Sequence, residues 1–240
     1  MEFISILANT SRSQAYLQTL LKNKIFPKKV IILDDQNKKK LGKFNEQDYA
    51  EINKIYKLQK AQMNPGETLI ETLNKNNIKF DTVMNPDINS DELFSIISRS
   101  NIKLVLVSVY AGQILREKIL NLEKYYLHIH GGILPEYRGS TTMYYSLLAS
   151  NTLGASAIFL NQGIDTGDIV YSKKYKASFN KELLDLVYDP LIRADVLINA
   201  LKKLRSNNYK VNQQQNNVGE DYFVIHPVLK HIAILGKNQC

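Results

Sequence analysis

Apolar positions in the first 125 residues follow two alternating patterns. Short runs of β-forming residues begin at Phe3, Lys29, Phe80 and Leu104, and the last is the nearly continuous apolar run typical of a strand buried on both faces. The segments between these runs carry apolar residues at helical spacing. Strands separated by helices predict an α/β fold with a mostly parallel open sheet and helices on both faces. Such sheets bind ligands beyond the carboxyl ends of their strands.

Three helices are predicted between these strands, over residues 11–24, over residues 67–74 and from Ser90 onward. Ser11 or Ser13 is the expected N-cap of the first helix and Ser90 that of the third, because a serine hydroxyl can accept a hydrogen bond from the first helical turn. In the second helix, the apolar residues expected to face inward are Leu69, Ile70 and Leu73.

The second half of the chain has a different pattern. Residues 126–130 alternate as a strand does, helical spacing resumes over residues 141–149, and two further strands are expected at residues 155–160 and 168–175. These elements complete a predicted core of residues 1–178.

The last 60 or so residues form a predicted appendage, residues 179–240. Residues 181–204 are expected to be helical apart from a break or kink at Pro190. Residues 221–235 carry several apolar residues around a proline, and we expect them to form a β-hairpin.

The composition is that of a soluble globular protein, with 44% hydrophobic and 22% charged residues. No apolar run approaches the roughly 18–20 residues that span a bilayer. The N-terminus lacks the basic flank of a signal peptide. The single cysteine, Cys240, excludes an internal disulfide, so we expect a cytoplasmic protein that does not bind membranes.

The net charge of +8 suits a protein that meets polyanions. The lysines are nevertheless spread along the chain, and the densest run, residues 38–40, lies in a predicted loop. We therefore favour a solvated surface that attracts small anionic substrates. Neither the glycine-rich dinucleotide fingerprint nor a Walker-type phosphate loop is present.

Two loops concentrate residue types used in catalysis. His128 and His130 are two residues apart on a predicted strand, so their side chains share a face. The adjacent Gly131 and Gly132 let a ligand approach the backbone closely. Asp165 lies in the second loop. Each feature alone has a structural interpretation, as a core histidine or a turn, but their combination indicates an active site.

These stretches resemble the 10-formyltetrahydrofolate-dependent formyltransferase superfamily. Its motif is Asn-x-His-x-Ser-Leu-Leu-Pro-x-Tyr/Trp-Arg-Gly, followed by a Val/Leu-Asp-x-Gly loop. Residues 128–139 read His-Ile-His-Gly-Gly-Ile-Leu-Pro-Glu-Tyr-Arg-Gly, and residues 163–167 read Gly-Ile-Asp-Thr-Gly. The resemblance covers residues 104–175 and implies a Rossmann-like formyltransferase core.

The resemblance also implies roles for the catalytic residues. His130 matches the family histidine, which we expect to stabilise the oxyanion and to shuttle protons. Asp165 matches the family aspartate, which would orient His130 and raise its pKa. His128 stands where the family has Asn. An imidazole N–H can replace an amide N–H as an oxyanion donor, and losing one such donor costs about 100- to 1000-fold in rate.

The resemblance further assigns binding residues. Contacts to 10-formyltetrahydrofolate, the expected co-substrate, are predicted at Gln113, Ile114, Leu115, Gln162, Gly163 and Ile164. Acceptor contacts are predicted at Gly131, Gly132, Tyr137, Arg138 and Thr141. For Arg138 the alternatives are a substrate phosphate, held by two parallel hydrogen bonds, and a salt bridge to Glu136 or Asp168.

The short tail most resembles the compact bacterial sugar N-formyltransferases, whose terminal hairpin forms a dimer interface. The expected acceptor is then a 4-amino-4,6-dideoxy sugar on dTDP or UDP, in surface-polysaccharide or glycan synthesis. A homodimer is expected, with neither a nucleic-acid partner nor a metal.

Four alternatives stay open. In the first, the acceptor amine belongs to glycinamide ribonucleotide or methionyl-tRNA. In the second, the chain is a degenerate relative that binds folate or nucleotide sugar without turnover. In the third, it is an RNA-binding protein built on the same core. His128, His130 and Asp165 also have the residue types of a two-histidine, one-carboxylate metal site.

Overall fold

The computed structural model describes residues 1–35, 61–64, 66–177, 181–206, 209–214 and 218–236. The predicted loop at residues 38–40, Cys240 and the proposed division between residues 178 and 179 lie outside these ranges. At the centre of the described part is one seven-stranded sheet with the strand order β3-β2-β1-β4-β5-β7-β8.

The first five strands in that order are parallel, and β7 and β8 are antiparallel. The strands of this sheet are β1 (Phe3–Ala8), β2 (Lys29–Leu33), β3 (Phe80–Val83), β4 (Leu104–Ser108), β5 (Tyr125–His130), β7 (Thr152–Phe159) and β8 (Ile169–Lys176). A separate two-stranded parallel sheet joins β6 (Tyr137–Gly139) to β9 (Glu220–Tyr222). The mostly parallel open sheet predicted from the sequence is confirmed.

Helices cover both faces of the large sheet. They are α1 (Ser11–Lys22), α2 (Leu69–Lys75), α3 (Asp91–Ser98), α4 (Glu117–Leu120), α5 (Thr142–Ser150), α6 (Asp189–Arg205) and α7 (Pro227–Leu235). A 3-10 turn at Lys181–Leu183 and a π-helical turn at Leu184–Tyr188 lead into α6. No helix in the described ranges is long and apolar enough to cross a membrane.

Strand β4 shows how the sheet divides the core. Leu104 and Leu106 pack in the main hydrophobic cluster with residues of α1 and α6. Val105 and Val107 point to the other face and pack with residues of α3 and α4. All five residues of β4 are buried, as expected for a strand covered on both faces. Since α6 contributes to the main cluster, the predicted appendage shares its core with the sheet.

Two local expectations about the helices were wrong. The N-cap of α1 is Thr10, whose hydroxyl accepts a hydrogen bond from the Ser13 N–H, and neither Ser11 nor Ser13 caps it. Ile70 is exposed, because the buried face of α2 consists of Leu69, Thr72 and Leu73, at i, i+3 and i+4. Ser90 caps α3, as predicted.

The helical run expected over residues 181–204 changes character just before Pro190, which is the second residue of α6 and follows the π-helical turn at Leu184–Tyr188. Pro190 lies in the first turn, where no intrahelical partner exists for the N–H that proline lacks. The helix then continues without a break to Arg205.

The predicted hairpin at residues 221–235 is also wrong. Residues 220–222 form β9, which pairs with β6, and residues 227–235 form helix α7. His226 caps α7 and Pro227 occupies its first turn. Proline is well suited to a helix start but cannot donate a hydrogen bond within a hairpin ladder.

Candidate active site

Strand β5 carries the two histidines of the candidate site at its carboxyl end. Leu127 and Ile129 pack in the main hydrophobic cluster. The alternation of a strand therefore directs His128 and His130 to the opposite face. His130 is buried and His128 is partly buried.

His130 lies against Asp165. Its Nδ1 atom is 3.2 Å from Oδ2 of Asp165, and its Nε2 atom is 2.7 Å from the carbonyl oxygen of Tyr137. The Thr142 hydroxyl is 3.4 Å from the same Nε2 atom. Since a carbonyl oxygen only accepts hydrogen bonds, Nε2 carries a proton and donates to Tyr137. Any proton on Nδ1 is then shared with the Asp165 carboxylate.

The loop between β7 and β8 holds Asp165 in place. Asp165 adopts a left-handed backbone conformation with φ +53°, which aspartate tolerates better than most residues. Its Oδ2 accepts a hydrogen bond of 3.0 Å from the Gly139 N–H. The amide of Gln214 donates to the carbonyls of Asp165 and Gly167. The Gly139 N–H therefore holds the carboxylate, and the Gln214 side chain holds the backbone of the loop that carries it.

Two opposing effects act on the pKa of His130. The Asp165 carboxylate raises it, as expected from the sequence, whereas burial of the ring lowers it. Burial is the larger effect, so the pKa lies below its ordinary value.

The two glycines after His130 make room for side chains of the site itself. A Cβ atom on Gly132 would lie 2.8 Å from Nε2 of His130, and a Cβ atom on Gly131 would lie 2.3 Å from Nη2 of Arg193. The approach of a ligand to these glycines stays a prediction. In the structure, the missing Cβ atoms make room for the His130 and Arg193 side chains.

His128 occupies the position beside this pair. Its Nδ1 atom is 3.3 Å from the carbonyl oxygen of Val107 on the neighbouring strand β4. Burial lowers its pKa to about 3, and the Arg12 and Arg193 guanidinium groups act in the same direction, while Asp165 opposes them. His128 is therefore neutral at physiological pH.

Two arginines near the histidines were not predicted as site residues. Arg12, at the start of α1, donates to the Ser108 hydroxyl and to the Val109 carbonyl. Arg193 of α6 donates to Ile129 O at 2.8 Å and to Asp189 at 2.7 Å. The i,i+4 spacing of Asp189 and Arg193 signals a helix ion pair. Nothing in the sequence connects that pair to β5, because the contact is tertiary.

The residues predicted to bind folate lie in two loops. The Gln113 side chain bonds to Pro86 O at 2.7 Å and to the Ile88 N–H at 3.1 Å, so its backbone is the part left for a ligand. Leu115 is buried, whereas Ile114 and Ile164 are 52% and 54% exposed.

Gln162 and Gly163 belong to the second of these loops. Nε2 of Gln162 is 3.4 Å from Oε1 of Glu117, which follows the first loop, and this contact places the two loops side by side. The Gly163 N–H donates to the side chain of Asn161. The exposed side chains of Ile114 and Ile164 leave apolar surface open on both loops.

The residues predicted to bind the acceptor hold the C-terminal segment in place. Arg138 is buried, and its Nε atom pairs with Oδ1 of Asp221 at 2.7 Å. The sequence had suggested Glu136 or Asp168 as the salt-bridge partner, and the structure shows Asp221 in that role. It also donates to the carbonyls of Val218 and Gly219.

Tyr137 and Thr141 contact the same segment. The Tyr137 ring stacks on Tyr222 with centroids 5.5 Å apart. The Thr141 hydroxyl accepts from the Ile225 N–H at 2.9 Å. These contacts give Tyr137, Arg138 and Thr141 structural partners, and their contact with an acceptor stays a prediction.

Among the described residues, no group of three or more His, Cys, Asp or Glu side chains is placed to hold a metal ion. The ring nitrogens of His128 and His130 face carbonyl and carboxylate oxygens.

The described structure thus combines an open, mostly parallel α/β sheet with a histidine–aspartate pair that begins at the carboxyl end of β5. The sequence model of the formyl transferase family matches residues 3–189. The chain belongs to the formyl transferase family. The resemblance found in the motif of residues 128–139 is thereby confirmed.

The sequence relatives include the methionyl-tRNA formyltransferase of Finegoldia magna. It is 33% identical over 114 residues, which cover 47% of this chain and 36% of that protein. The match to the corresponding protein of Caldicellulosiruptor saccharolyticus is 31% identical over 142 residues and covers 45% of it. The chain thus matches less than half the length of these relatives.

The structural neighbours include sugar N-formyltransferases. WlaRD, a sugar 3N-formyl transferase whose structure was determined in the presence of dTDP and 5-N-formyl-THF, superposes with a TM-score of 0.61 at 21% identity, covering 92% of this chain and 69% of that chain. The N-formyltransferase of Helicobacter canadensis, in complex with folinic acid and dTDP-3-aminofucose, gives a TM-score of 0.60 at 18% identity, covering 92% and 71%. At these identities the likeness establishes the fold.

Proposed function

We propose that this protein is an enzyme that transfers a formyl group from 10-formyltetrahydrofolate to the amino group of a nucleotide-linked amino sugar. The proposed acceptor is a dTDP- or UDP-linked 4-amino-4,6-dideoxy sugar, used in surface-polysaccharide or glycan synthesis. The observation that carries the proposal is the buried His130–Asp165 pair beside His128, in a chain that matches the formyl transferase family over residues 3–189.

Formyl transfer to an amine requires the protein to stabilise an oxyanion and to move a proton between two nitrogens. An attacking amine turns the formyl group into a tetrahedral oxyanion, loses a proton, and displaces a nitrogen that must gain one. No covalent enzyme intermediate is needed. 10-Formyltetrahydrofolate supplies the formyl group and the leaving nitrogen.

The described residues suit the formyl donor. Ile114 and Ile164 present exposed apolar side chains on adjacent loops, which is the surface that a flat heteroaromatic ring covers favourably. The His130–Asp165 pair supplies an oriented imidazole beside the reacting carbon. Asp165 fixes the orientation of His130 and favours its charged form when the oxyanion develops.

Two kinds of observation support a nucleotide-linked amino sugar as the acceptor. WlaRD is a sugar 3N-formyl transferase seen with dTDP, and the Helicobacter canadensis N-formyltransferase was seen with dTDP-3-aminofucose. The net charge of +8 favours an acceptor linked to a nucleoside diphosphate over a neutral acceptor. The sequence relatives favour a second candidate, methionyl-tRNA, because those proteins are methionyl-tRNA formyltransferases.

We also propose that the protein is a cytoplasmic homodimer that uses the C-terminal segment as its interface. Phe223 and Val224 are 84% and 73% exposed, and Val228, Ile232 and Leu235 on α7 are more than half exposed. A contiguous apolar surface of this kind is unusual on a monomer and typical of an interface.

The test is a turnover assay with 10-formyltetrahydrofolate and a panel of acceptor amines. The panel contains dTDP- and UDP-linked 3-amino and 4-amino deoxy sugars, glycinamide ribonucleotide and charged initiator tRNA. We expect mass spectrometry to show one added formyl group on a sugar nucleotide, and no product with His130→Ala or Asp165→Ala.

Other outcomes separate the alternatives. Formylation of the tRNA or the ribonucleotide keeps the reaction and replaces the acceptor. Folate binding without any product identifies a degenerate relative. Asp168→Asn is the matched control, because its carboxylate makes no hydrogen bond or ion pair with a described residue although it lies on the same loop as Asp165.

A further inference from the structure

We propose that His128 is the proton shuttle of this site: its Nε2 atom takes the proton of the attacking amine and passes it to the leaving nitrogen. This role differs from the oxyanion donor expected at this position from the family's asparagine, and it moves proton transfer from His130 to His128. The inference rests on the proposed formyl transfer.

The first step of the argument is the tautomer of His128. Its Nδ1 atom lies 3.3 Å from the carbonyl oxygen of Val107. A carbonyl oxygen has no proton to give, so Nδ1 must carry the proton of this hydrogen bond. In a neutral ring the other nitrogen then has a free lone pair. Nε2 of His128 is therefore an acceptor, whereas an oxyanion would need a donor.

The second step is the charge state of the ring. Besides Asp165, the charged groups that act on His128 are the Arg12 and Arg193 guanidinium groups, and both disfavour a second proton on the imidazole. Burial acts in the same direction. A neutral ring keeps the Nε2 lone pair available at neutral pH.

The third step is that His130 has no comparable free nitrogen. Its Nε2 atom donates to Tyr137 O at 2.7 Å, and its Nδ1 atom faces Asp165 at 3.2 Å. In the described part of the chain, Nε2 of His128 has no hydrogen-bond partner, and the ring is only partly buried. The ring nitrogen that can reach a substrate is thus on His128.

The proton balance of the reaction fits one shuttle. The amine nitrogen forms a bond to the formyl carbon, and the carbonyl electron pair moves onto oxygen. Nε2 takes one proton from the new ammonium nitrogen. The carbonyl re-forms as the bond from carbon to the folate nitrogen breaks, and Nε2 returns the proton to that nitrogen. Both nitrogens are bonded to the same carbon, so one ring atom can serve both.

The low basicity of His128 suits the second transfer. The lowered pKa makes the protonated ring a stronger proton donor than an ordinary imidazolium, which suits a weakly basic arylamine leaving nitrogen. The nearby negative oxyanion raises the basicity of the ring while the first transfer takes place.

His128→Asn is the deciding variant, because asparagine supplies the N–H donor of the family motif but no titratable nitrogen. We expect kcat to fall by about 100-fold or more with a smaller change in the acceptor KM, as for loss of a general acid–base. In His128→Ala, added imidazole should restore part of the rate. His231→Asn is the matched control, because His231 is exposed on α7, and it should turn over like the wild type.

A second measurement needs no turnover. In the free wild-type protein labelled with ¹⁵N-histidine, the ring nitrogens of His128 should show the Nδ1–H tautomer from pH 8 to pH 5, assigned by the signals missing in His128→Asn. A thermal melt of each variant checks that the fold is kept.

The possible results are decisive. The Nδ1–H tautomer together with the loss in kcat supports the shuttle. An Nε2–H tautomer, or His128→Asn turning over at the wild-type rate, overturns it and restores the donor role. A wild-type protein that formylates no acceptor in the panel refutes the proposed function itself, and the inference with it.

Discussion

At the scale of single residues, the candidate site depends on which oxygen each ring nitrogen faces. The carbonyl of Tyr137 fixes a proton on Nε2 of His130, and the carbonyl of Val107 fixes a proton on Nδ1 of His128. The fixed proton is therefore on Nε2 in His130 and on Nδ1 in His128. The different roles that we propose for the two histidines rest on these two backbone contacts.

Asp165→Asn should impair catalysis while keeping the fold. Asparagine can still accept the hydrogen bond of the Gly139 N–H and tolerates the left-handed backbone, but it removes the charge beside His130. We expect kcat to fall by about 100- to 10,000-fold. Steady-state kinetics beside the Asp168→Asn control measures this, and an Asp165→Asn enzyme with the wild-type kcat would contradict the assigned role.

Stability should decrease as the pH falls below 6.5. The pKa of His128 is about 3 in the folded protein against an ordinary value of 6.5, so between these values the unfolded state binds a proton that the folded state does not. The free energy of unfolding then falls with decreasing pH, by at most about 1.4 kcal/mol per pH unit for this residue. His130, whose pKa is also lowered by burial, contributes in the same direction.

Urea denaturation at pH 7.5, 6 and 5 tests this pH dependence. His128→Asn should give a shallower decline in the free energy of unfolding than the wild type, because one of the two buried histidines is gone. Equal slopes in the two proteins would show that His128 titrates normally.

At the scale of elements, the site depends on tight contacts between loops and strands. A Cβ atom on Gly167 would lie 1.7 Å from the carbonyl oxygen of Phe159 in β7. This oxygen belongs to the strand backbone and cannot rotate away. The loop that carries Asp165 is therefore attached to β7 at a position where only glycine fits.

Gly167→Ala should destabilise the protein and displace Asp165. Overpacking of this kind costs about 1–3 kcal/mol. Gly163→Ala is the control in the same loop, since its new methyl group meets only the Thr166 side chain, which can turn aside. Urea unfolding of both variants tests the prediction, and a Gly167→Ala protein as stable as Gly163→Ala would show that the loop can shift.

The same scale explains where sequence patterns were sufficient. The strands from β1 to β5 and the cap of α3 were predicted, because apolar runs and a serine before a helix are local signals. The hairpin at residues 221–235 was not, because β9 is held by β6 and by Arg138, which lie more than 80 residues earlier. No local pattern reports such a partner.

At the scale of the whole molecule, the C-terminal segment carries several strongly exposed apolar side chains close together in the sequence. Ile232 and Leu235 on α7 are 51% and 57% exposed, next to Phe223 and Val224. Burying such surface contributes about 25 cal/mol per Å². This favours association of two copies through α7 and the residues before it.

Ile232→Glu should convert the proposed dimer into a monomer, because a carboxylate at the centre of an apolar interface loses its hydration without gaining a partner. Ile70→Glu is the matched control, since Ile70 is 43% exposed on α2, outside the proposed interface. Sedimentation velocity at micromolar concentration distinguishes the two species. A wild-type protein that sediments as a monomer would refute the interface.

The sequence by itself determined the fold class, the family, and the residue types of the site. Apolar periodicity sets which segments become strands and helices, and the motif at residues 128–139 with Asp165 carries the chemistry. Only the tertiary structure decided that Arg12 and Arg193 neighbour the histidines, that Arg138 holds the C-terminal segment, and which nitrogen of His128 is free. The physical reason is that burial, charge and hydrogen-bond partners at a site come from residues distant in the chain, and these set each protonation state.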